Sequence, residues 1–403
     1  MQSDSKHILY VGLGLGCISL VYFFALICRL PFFITVPLIA SALMFLYRWV
    51  NREYQTPPTT GKWKLVILAI GLVLIGEKAD GLAEKHGQWD AWAIWNLHAR
   101  YLADPVHWRN MFLNLTHAHP DYPLFLPATV AFFNRLTGGY NLVIPYALHF
   151  LIMLCIPVLV YAEVAKKNLL IATLALALFV TNEMYITQGV SQMADTMLAF
   201  FFLAAFICFD YAREDKQMMI LASAFLGLCM WTKNEGIMLA LVFVLFHGRV
   251  FISEWRRVLY GVGLPLAALL IFKLCYAPAN DLISRQSAET INNLSDWARY
   301  QQIYRSWMDT INEHYISPKY LVIVYLLYCL LRRKLPDKRL LIILTCLAGY
   351  FMVYVFSHQD LDWHLFTSAH RLLHQLMPAV VYVFAHKFAN AGSPGSFRVI
   401  RTY

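Results

Sequence analysis

Long apolar runs separated by short polar stretches dominate the chain. Twelve windows approach the length that a helix needs to cross a hydrocarbon layer of about 30 Å. They cover residues 8–28, 32–50, 63–78, 141–162, 168–182, 193–210, 217–232, 235–248, 258–277, 319–331, 339–357 and 371–389. A helix satisfies its backbone hydrogen bonds internally, as a membrane span must. The pattern therefore predicts an all-α polytopic membrane protein with about 12 transmembrane helices.

The loop between the third and fourth windows has helical patterns of its own. Residues 89–102 place Trp92, Trp95 and Ala99 at positions i, i+3 and i+7, which predicts an interfacial helix with aromatic residues on one face. The apolar segment Leu124–Phe133 begins in a Pro-rich stretch and is too short to span. We expect it to form a half-buried or re-entrant helix.

The composition supports a membrane protein and argues against a nucleic-acid partner. Of 403 residues, 59% are hydrophobic and 14% charged, whereas about a quarter of a soluble domain is charged. The net charge of +9 is explained by Lys and Arg in the loops on one side of the membrane. No basic stripe with interleaved aromatic residues is visible, so we expect membrane lipids and no nucleic acid as partners.

The distribution of Lys and Arg predicts the orientation. With the N-terminus inside, most of the 33 Lys and Arg residues, including the run 332–339, fall in cytoplasmic segments. Both termini are then cytoplasmic, and loops 79–122, 278–318 and 357–370 lie on the extracytoplasmic side of the plasma (inner) membrane. Counting Leu124–Phe133 as a full span would place the run 332–339 outside, so we reject that topology.

The same pattern predicts one transmembrane domain, residues 1–403. Residues 1–62 contribute two extra N-terminal spans, residues 63–390 form the core, and residues 391–403 form a cytoplasmic tail. No internal repeat is visible, which weighs against the inverted-repeat architecture of many transporters.

Two carboxylates lie at the ends of the Trp-rich first loop. Asp90, in QWDAWAIW, either caps a helix or stands beside a lipid-borne substrate at the membrane surface. Asp121 lies in HAHPDYP, and of these two carboxylates one could act as a general base and the other as electrostatic or metal support. His117, His119 and Asp121 alternate along the chain and are weak candidates for a metal site on an extended strand.

Further ionisable residues lie at span ends, where charge is costly and often functional. Asp195 could instead be the N-cap of a helix. Lys233 and Glu235 could instead form an ion pair in the turn between windows 217–232 and 235–248. Arg371, which follows His370, could hold a phosphate through paired hydrogen bonds or extend to the interface. The ionisable residues at the ends of predicted spans are Glu183, Asp195, Lys233, Glu235 and Arg371.

At these residues the sequence resembles the polytopic GT-C glycosyltransferases, including protein O-mannosyltransferases and the aminoarabinose transferases that modify lipid A. Asp90 matches the carboxylate that follows the first core span of that family. Tyr122-Pro123-Leu124 is similar to its Pro-Pro-Leu-like motif, and Arg371-Leu372-Leu373 to its late Arg-Tyr-Leu-Leu-Pro-like motif. ADTMLAFFF resembles the segment that places an Asp, here Asp195, at the head of a span. The likeness covers roughly residues 63–390.

The resemblance implies an inverting transferase that moves a monosaccharide from a polyprenyl-phosphate carrier to a lipid, glycan or protein acceptor on the extracytoplasmic side. Asp90 would be the general base, and Arg371, then Lys233, would stabilise the phosphate. The other expected site residues are Asp121, Asp195, Glu183, Glu235, His119, His370, Tyr122 and Trp89. No cofactor is required, although a divalent metal stays open. The single Pro123 and the lack of a C-terminal soluble domain leave the acceptor open.

Two main rival functions remain, besides a non-catalytic assembly subunit. A secondary transporter would suit the number of spans, but it predicts paired broken helices and ionisable residues near mid-membrane. Another lipid-linked glycan enzyme, a polymerase, ligase or phosphotransferase, would also act at the membrane surface. A lateral groove open to lipid beside Asp90 would favour the transferase over the transporter.

Overall fold

A computed structural model describes residues 3–51, 61–114, 119–280, 292–331, 333 and 335–391. The described residues are 84% helical and contain no β-strand, so the all-α class is confirmed. The helices up to residue 190 are α1 (Ser3–Ile27), α2 (Phe32–Val50), α3 (Lys62–Leu82), α4 (Asn96–Ala103), α5 (Met111–Asn114), α6 (Phe125–Leu136), α7 (Val143–Val164), α8 (Leu169–Thr181) and α9 (Glu183–Val190). The later helices of the described residues are α10 (Asp195–Tyr211), α11 (Lys216–Thr232), α12 (Asn234–Ser253), α13 (Trp255–Cys275), α14 (Trp297–His314), α15 (Ile316–Leu331), α16 (Lys338–Val355) and α17 (Leu361–Ala391).

Each of the predicted windows coincides with a described helix, but the count of about 12 spans is not confirmed. Within the described residues, 6 helices are long and apolar enough to cross a membrane: α1, α2, α7, α12, α13 and α16. The number rises to 8 if the bent pairs α8–α9 and α14–α15 each form one span. Helices α10 and α11 have 17 residues each, which is only about 25 Å of helix. Apolar composition therefore predicted where the helices lie, but it did not determine how many of them cross the membrane.

Helix α10 occupies the centre of the bundle. It is apolar around its whole circumference, and all but its last few residues are buried. It packs against α7, α11 and α17, as expected for a helix that is hydrophobic on every side. In its interior, Phe201 meets Phe225 and Phe206 meets Phe243 at ring-centroid distances of 6.1 and 5.1 Å. The polar ends of α10 are thereby held in fixed places at opposite ends of the bundle.

Helices α11 and α13 approach each other closely through small residues. A Cβ atom at Gly261 would collide with the carbonyl oxygen of Ile220, and one at Gly227 would lie 2.9 Å from the Pro265 ring. Small residues at such contacts are typical of helix pairs in membranes. This packing leaves apolar side chains of α12 and α13, such as Leu245 and Leu274, exposed on the outside, where lipid would cover them.

In the first loop, the helix predicted over residues 89–102 is present. The chain is helical from Trp89 onward, with a π-helical turn at Ala91–Trp95 that leads into α4. The expected aromatic face is wrong in one respect, because Trp95 and Ala99 are buried while Trp92 is exposed. A π turn contains more residues than an α turn and so rotates Trp92 away from the buried face. The segment Leu124–Phe133 lies within or beside the 12-residue helix α6, which is largely buried against α1 and α4.

Candidate active site

A chain of ion pairs links three distant stretches of sequence where α10 begins. The Arg371 guanidinium donates from Nη1 to Asp90 Oδ2, and from Nε and Nη2 to Asp195 Oδ2 at 3.2 and 3.1 Å. Asp195 is fully buried, whereas the side chain of Asp90 is 22% exposed. Asp90 makes no helix-capping hydrogen bond. Asp90 is therefore a carboxylate held by a charge-assisted hydrogen bond at the edge of a buried network.

Lys233 extends this network on the other side of Asp195. Its Nζ lies 2.9 Å from Asp195 Oδ1 and 3.0 Å from Glu235 Oε1, so the predicted hairpin ion pair is present. Gln375 Nε2 also donates to Asp195 Oδ1, at 2.5 Å. Burial alone would lower the pKa of Lys233, but the Asp195 and Glu235 carboxylates raise that pKa above its usual value. Asp195 is thus the common acceptor for two cations, and it is the first residue of its helix rather than the N-cap, which is Ala194.

The ends and faces of three helix regions position these side chains. Arg371 and Gln375 are four residues apart on α17 and so project from one face of the helix. Asp195 is the first residue of α10 and follows Gln192, whose φ is +61°. Lys233 is a single extended residue between α11 and α12, with φ −151° and ψ 158°. The start of α10, the turn between α11 and α12, and one face of α17 therefore bring these polar side chains together.

The turn between α11 and α12 requires glycine at position 236. A Cβ atom there would collide with the carbonyl group of Cys229. We expect Gly236→Ala to destabilise the protein by about 1–3 kcal/mol, because the turn would have to shift and displace Lys233. Thermal unfolding in detergent measures the loss of stability. Gly263→Ala is the matched control, because its Cβ would meet only Leu259 Cδ1, at 3.8 Å. Equal stability of the two variants would contradict the close approach at Gly236.

Three stacked rings form a wall beside Lys233. The Tyr122 ring stacks on Trp95 with centroids 5.4 Å apart and on His119 with centroids 4.9 Å apart. Lys233 Nζ lies 5.9 Å from the centre of the Tyr122 ring. Burial, together with the negative charge of Glu235, raises the pKa of Tyr122 well above its usual value. The Tyr122 hydroxyl therefore stays neutral and can donate a hydrogen bond.

Two exposed tryptophans flank Asp90. Trp89 precedes Asp90 directly, and its ring meets that of Trp92 edge to face with centroids 5.6 Å apart. Both side chains are at least half exposed. Exposed tryptophans suit either the headgroup layer of a membrane or the face of a sugar ring.

Asp121 lies in an adjacent cluster and makes no direct contact with Asp90 among the described residues. Its Oδ2 accepts hydrogen bonds from Asn234 Nδ2 at 2.8 Å and Asn280 Nδ2 at 2.7 Å. Lys273 Nζ donates to the Asp121 carbonyl at 2.5 Å and to Asn234 Oδ1 at 2.8 Å. Because Asn234 follows Lys233, the α11–α12 turn joins the two clusters.

Two predicted residues stand apart from these contacts. Glu183 is exposed at the first turn of α9, and no contact between described residues ties it to the clusters. The His370 carbonyl accepts a hydrogen bond from the Tyr315 hydroxyl at 2.8 Å. Burial and the charge of Arg371 lower the pKa of His370 to about 4. The His370 ring is therefore neutral near pH 7 and adds no cation to the site.

The weak metal candidates find little support. Over the described ranges, no group of three or more His, Cys, Asp or Glu side chains could hold a metal ion. His117 lies outside the described residues. His119, in a positive-φ conformation, stacks on Tyr122, and the Asp121 carboxylate faces two amides.

Sequence reasoning missed four residues that hold the clusters together: Gln375, Asn234, Lys273 and Asn280. Gln375 lies one helical turn after Arg371, and Asn234 lies between two residues already singled out. Lys273 stands near the end of an otherwise apolar window, where an ionisable residue is itself a signal. Asn280 carried no such signal.

Residues 97–278 match the family model of the dolichyl-phosphate-mannose-protein mannosyltransferases, a GT-C family. This finding confirms the resemblance to GT-C transferases that the sequence predicted. The match includes Asp121, Asp195 and Lys233, while Asp90 and Arg371 lie outside it. No curated protein and no solved structure matches the chain significantly. The family match and the apolar helices indicate a multi-pass membrane glycosyltransferase that uses a lipid-linked sugar donor.

Proposed function

We propose that this protein transfers a monosaccharide from a polyprenyl-phosphate carrier to an acceptor hydroxyl at the extracytoplasmic membrane surface. The main support is the position of Asp90, which Arg371 holds at the edge of a buried ion-pair network. The acceptor would be an envelope lipid, glycan or protein. The prenyl chain of the donor would stay among the lipids while its sugar reached Asp90 past Trp89 and Trp92.

Asp90 is the proposed general base. Its carboxylate would take the proton of the acceptor hydroxyl as the acceptor oxygen attacks the anomeric carbon. The bond between that carbon and the phosphate oxygen breaks, and polyprenyl phosphate leaves with the electron pair. Because attack comes from the face opposite to the phosphate, the anomeric configuration inverts.

Arg371 would couple proton removal to departure of the phosphate. In the structure, Nη1 donates to Asp90 while Nε and Nη2 donate to Asp195. Once Asp90 is protonated it loses its charge, and Nη1 can turn to the leaving phosphate. Asp195 would keep the guanidinium oriented throughout. Lys233 is the second proposed cation for the phosphate.

The remaining site residues would bind substrate. Asp121 is fixed by Lys273 and two amides and would orient the acceptor. The neutral Tyr122 hydroxyl would donate a hydrogen bond to a sugar or phosphate oxygen. Further proposed contacts come from Trp89, His119, Glu183, Glu235 and His370. No cofactor is part of this proposal.

The proposal is tested by mass spectrometry of the cell envelope in a host with and without the gene. We expect cells without it to lack one sugar on an envelope acceptor and to accumulate the corresponding polyprenyl-phosphate sugar. Complementation with the wild-type gene should restore the sugar. Identical envelope glycans and lipids in both strains would contradict the proposed function.

One observation favours a secondary transporter as the second candidate. Helices α8 and α9 meet at a bend of 65° and α14 and α15 at one of 107°, and transporters often bind substrate at broken helices. Asp195, Lys233 and Glu235 nevertheless lie at helix ends, whereas Arg371 is the eleventh residue of α17. Sugar accumulation in proteoliposomes without consumption of a lipid-linked donor would support the transporter instead.

A further inference from the structure

A second polar cluster occupies the opposite ends of the same two helices. Asp210 lies on α10 and His386 on α17, each fifteen residues after Asp195 and Arg371, respectively, or roughly 22 Å farther along the helix axis. Arg339, in the first turn of α16, donates from Nη1 to Asp210 Oδ2 at 2.6 Å. This cluster is therefore remote from the candidate active site.

The two carboxylates of this cluster already have cationic partners. Arg339 contacts Asp337 through Nε at 3.0 Å and Nη2 at 2.9 Å, in addition to Asp210. The Tyr382 hydroxyl donates to Asp210 Oδ2 at 2.8 Å, and Lys387 Nζ lies 3.6 Å from Asp337 Oδ2. The acidic groups are thus committed to these residues.

The His386 ring stands between groups that can only donate hydrogen bonds. Its Nε2 lies 2.8 Å from Lys167 Nζ, and its Nδ1 lies 3.3 Å from Arg339 Nη1. A neutral imidazole has one N–H and one acceptor nitrogen, while an ammonium and a guanidinium accept nothing. In either tautomer, one ring N–H therefore faces another donor. An anionic oxygen near Lys167 Nζ and the ring would accept from both and remove the conflict.

We propose that Lys167 and His386 form a binding site for a phosphate group at the end of the bundle opposite to Asp90. Lys166 and Lys387 lie beside them in sequence, but each is already paired with a carboxylate, Glu163 at 2.6 Å and Asp337 at 3.6 Å, respectively. Partial burial of the amine, reinforced by the charge of Arg339, lowers the pKa of Lys167, although Asp210 opposes the shift. A bound phosphate would hold Lys167 in its charged form.

The phosphate would come either from the headgroup of an anionic lipid or from soluble phosphate. Basic pockets between helices at a membrane surface commonly bind anionic headgroups. Lys167 is exposed in the short connection between α7 and α8, and His386 is half-buried on α17. A headgroup could therefore reach both side chains from the side of the bundle, without entering it.

The test measures binding of phosphatidic acid, phosphatidylcholine and inorganic phosphate to the full-length protein in detergent by native mass spectrometry and thermal shift. We expect phosphatidic acid to bind and stabilise the wild type more than phosphatidylcholine does. Lys167→Gln should weaken phosphatidic acid binding about tenfold, because it removes a charged hydrogen-bond partner. Lys167→Arg should retain binding.

Lys216→Gln is the matched control, because Lys216 is an exposed lysine at the same end of the bundle, at the start of α11. It should change phosphatidic acid binding less than about twofold. If inorganic phosphate alone binds and depends on Lys167, the site stands and its ligand is soluble. Equal effects of Lys167→Gln and Lys216→Gln, or equal binding of the two lipids without a response to phosphate, would overturn the proposal.

Discussion

Asp90→Asn should nearly abolish sugar transfer while the donor still binds. Asparagine keeps the size of the side chain but cannot take a proton from the acceptor hydroxyl. We expect the turnover number to fall by about 10²–10⁴-fold. Arg371 keeps its two hydrogen bonds to Asp195, so the network should stay folded. The measurement is the release of polyprenyl phosphate from a labelled donor, with donor affinity determined separately.

The matched control for Asp90→Asn is Asp104→Asn in the same loop. Asp104 is half-exposed and pairs with His107 at 3.0 Å, away from the ion-pair network. Its substitution should leave turnover within about twofold of the wild type. Full turnover by Asp90→Asn, or an equal loss in both variants, would remove Asp90 from the role of base.

Asp195→Ala should cause the largest loss of stability. It would leave Arg371 and Lys233 buried without their shared carboxylate, and it would also strand the Gln375 amide. Breaking a buried ion pair from one side costs about 3–5 kcal/mol. Thermal or chemical unfolding in detergent should register this loss. Asp195→Asn, which retains an acceptor oxygen, should lose less stability than Asp195→Ala.

Asp362→Ala is the control for Asp195→Ala. It shows how much stability is lost when an exposed carboxylate outside the ion-pair network is removed. Asp362 is exposed and accepts one hydrogen bond, from Gln302 at 2.6 Å. Its removal should cost no more than about 1 kcal/mol. If Asp195→Ala and Asp362→Ala unfold at the same temperature, the ion-pair network does not stabilise the fold.

The sequence predicted the helices well because apolar length and composition determine where a helix can lie in lipid. It did not predict the number of spans, since bends such as the one between α8 and α9 arise from tertiary contacts. The exposure of the Trp92 side chain could not be predicted from the sequence pattern either. A π turn differs from an α turn by a shift of one residue in its hydrogen bonding, and periodicity does not reveal that shift.

The candidate site could be predicted residue by residue but not as a network. Its place in the Trp-rich first loop singled out Asp90, and charge at predicted span ends singled out Asp195, Lys233 and Arg371. Their pairing joins residues up to 281 positions apart in the chain, and hydropathy contains no information on such contacts. Arg371 was expected to face a phosphate, but in the structure its guanidinium donates to two carboxylates. The contact with Asp90 is the basis for the proposal that Arg371 Nη1 turns from Asp90 to the leaving phosphate.

Donor turnover by the purified protein in lipid nanodiscs tests the central claim most directly. Labelled sugars are offered on polyprenyl phosphate and, separately, on polyprenyl pyrophosphate, each together with an envelope extract that supplies the acceptor, and the anomeric configuration of the product is determined by NMR. We expect the protein to consume a monophosphate donor, release polyprenyl phosphate and give the inverted product. Consumption of the pyrophosphate donor alone, retention of configuration, or no turnover of any donor would contradict a transferase built around Asp90 and Arg371.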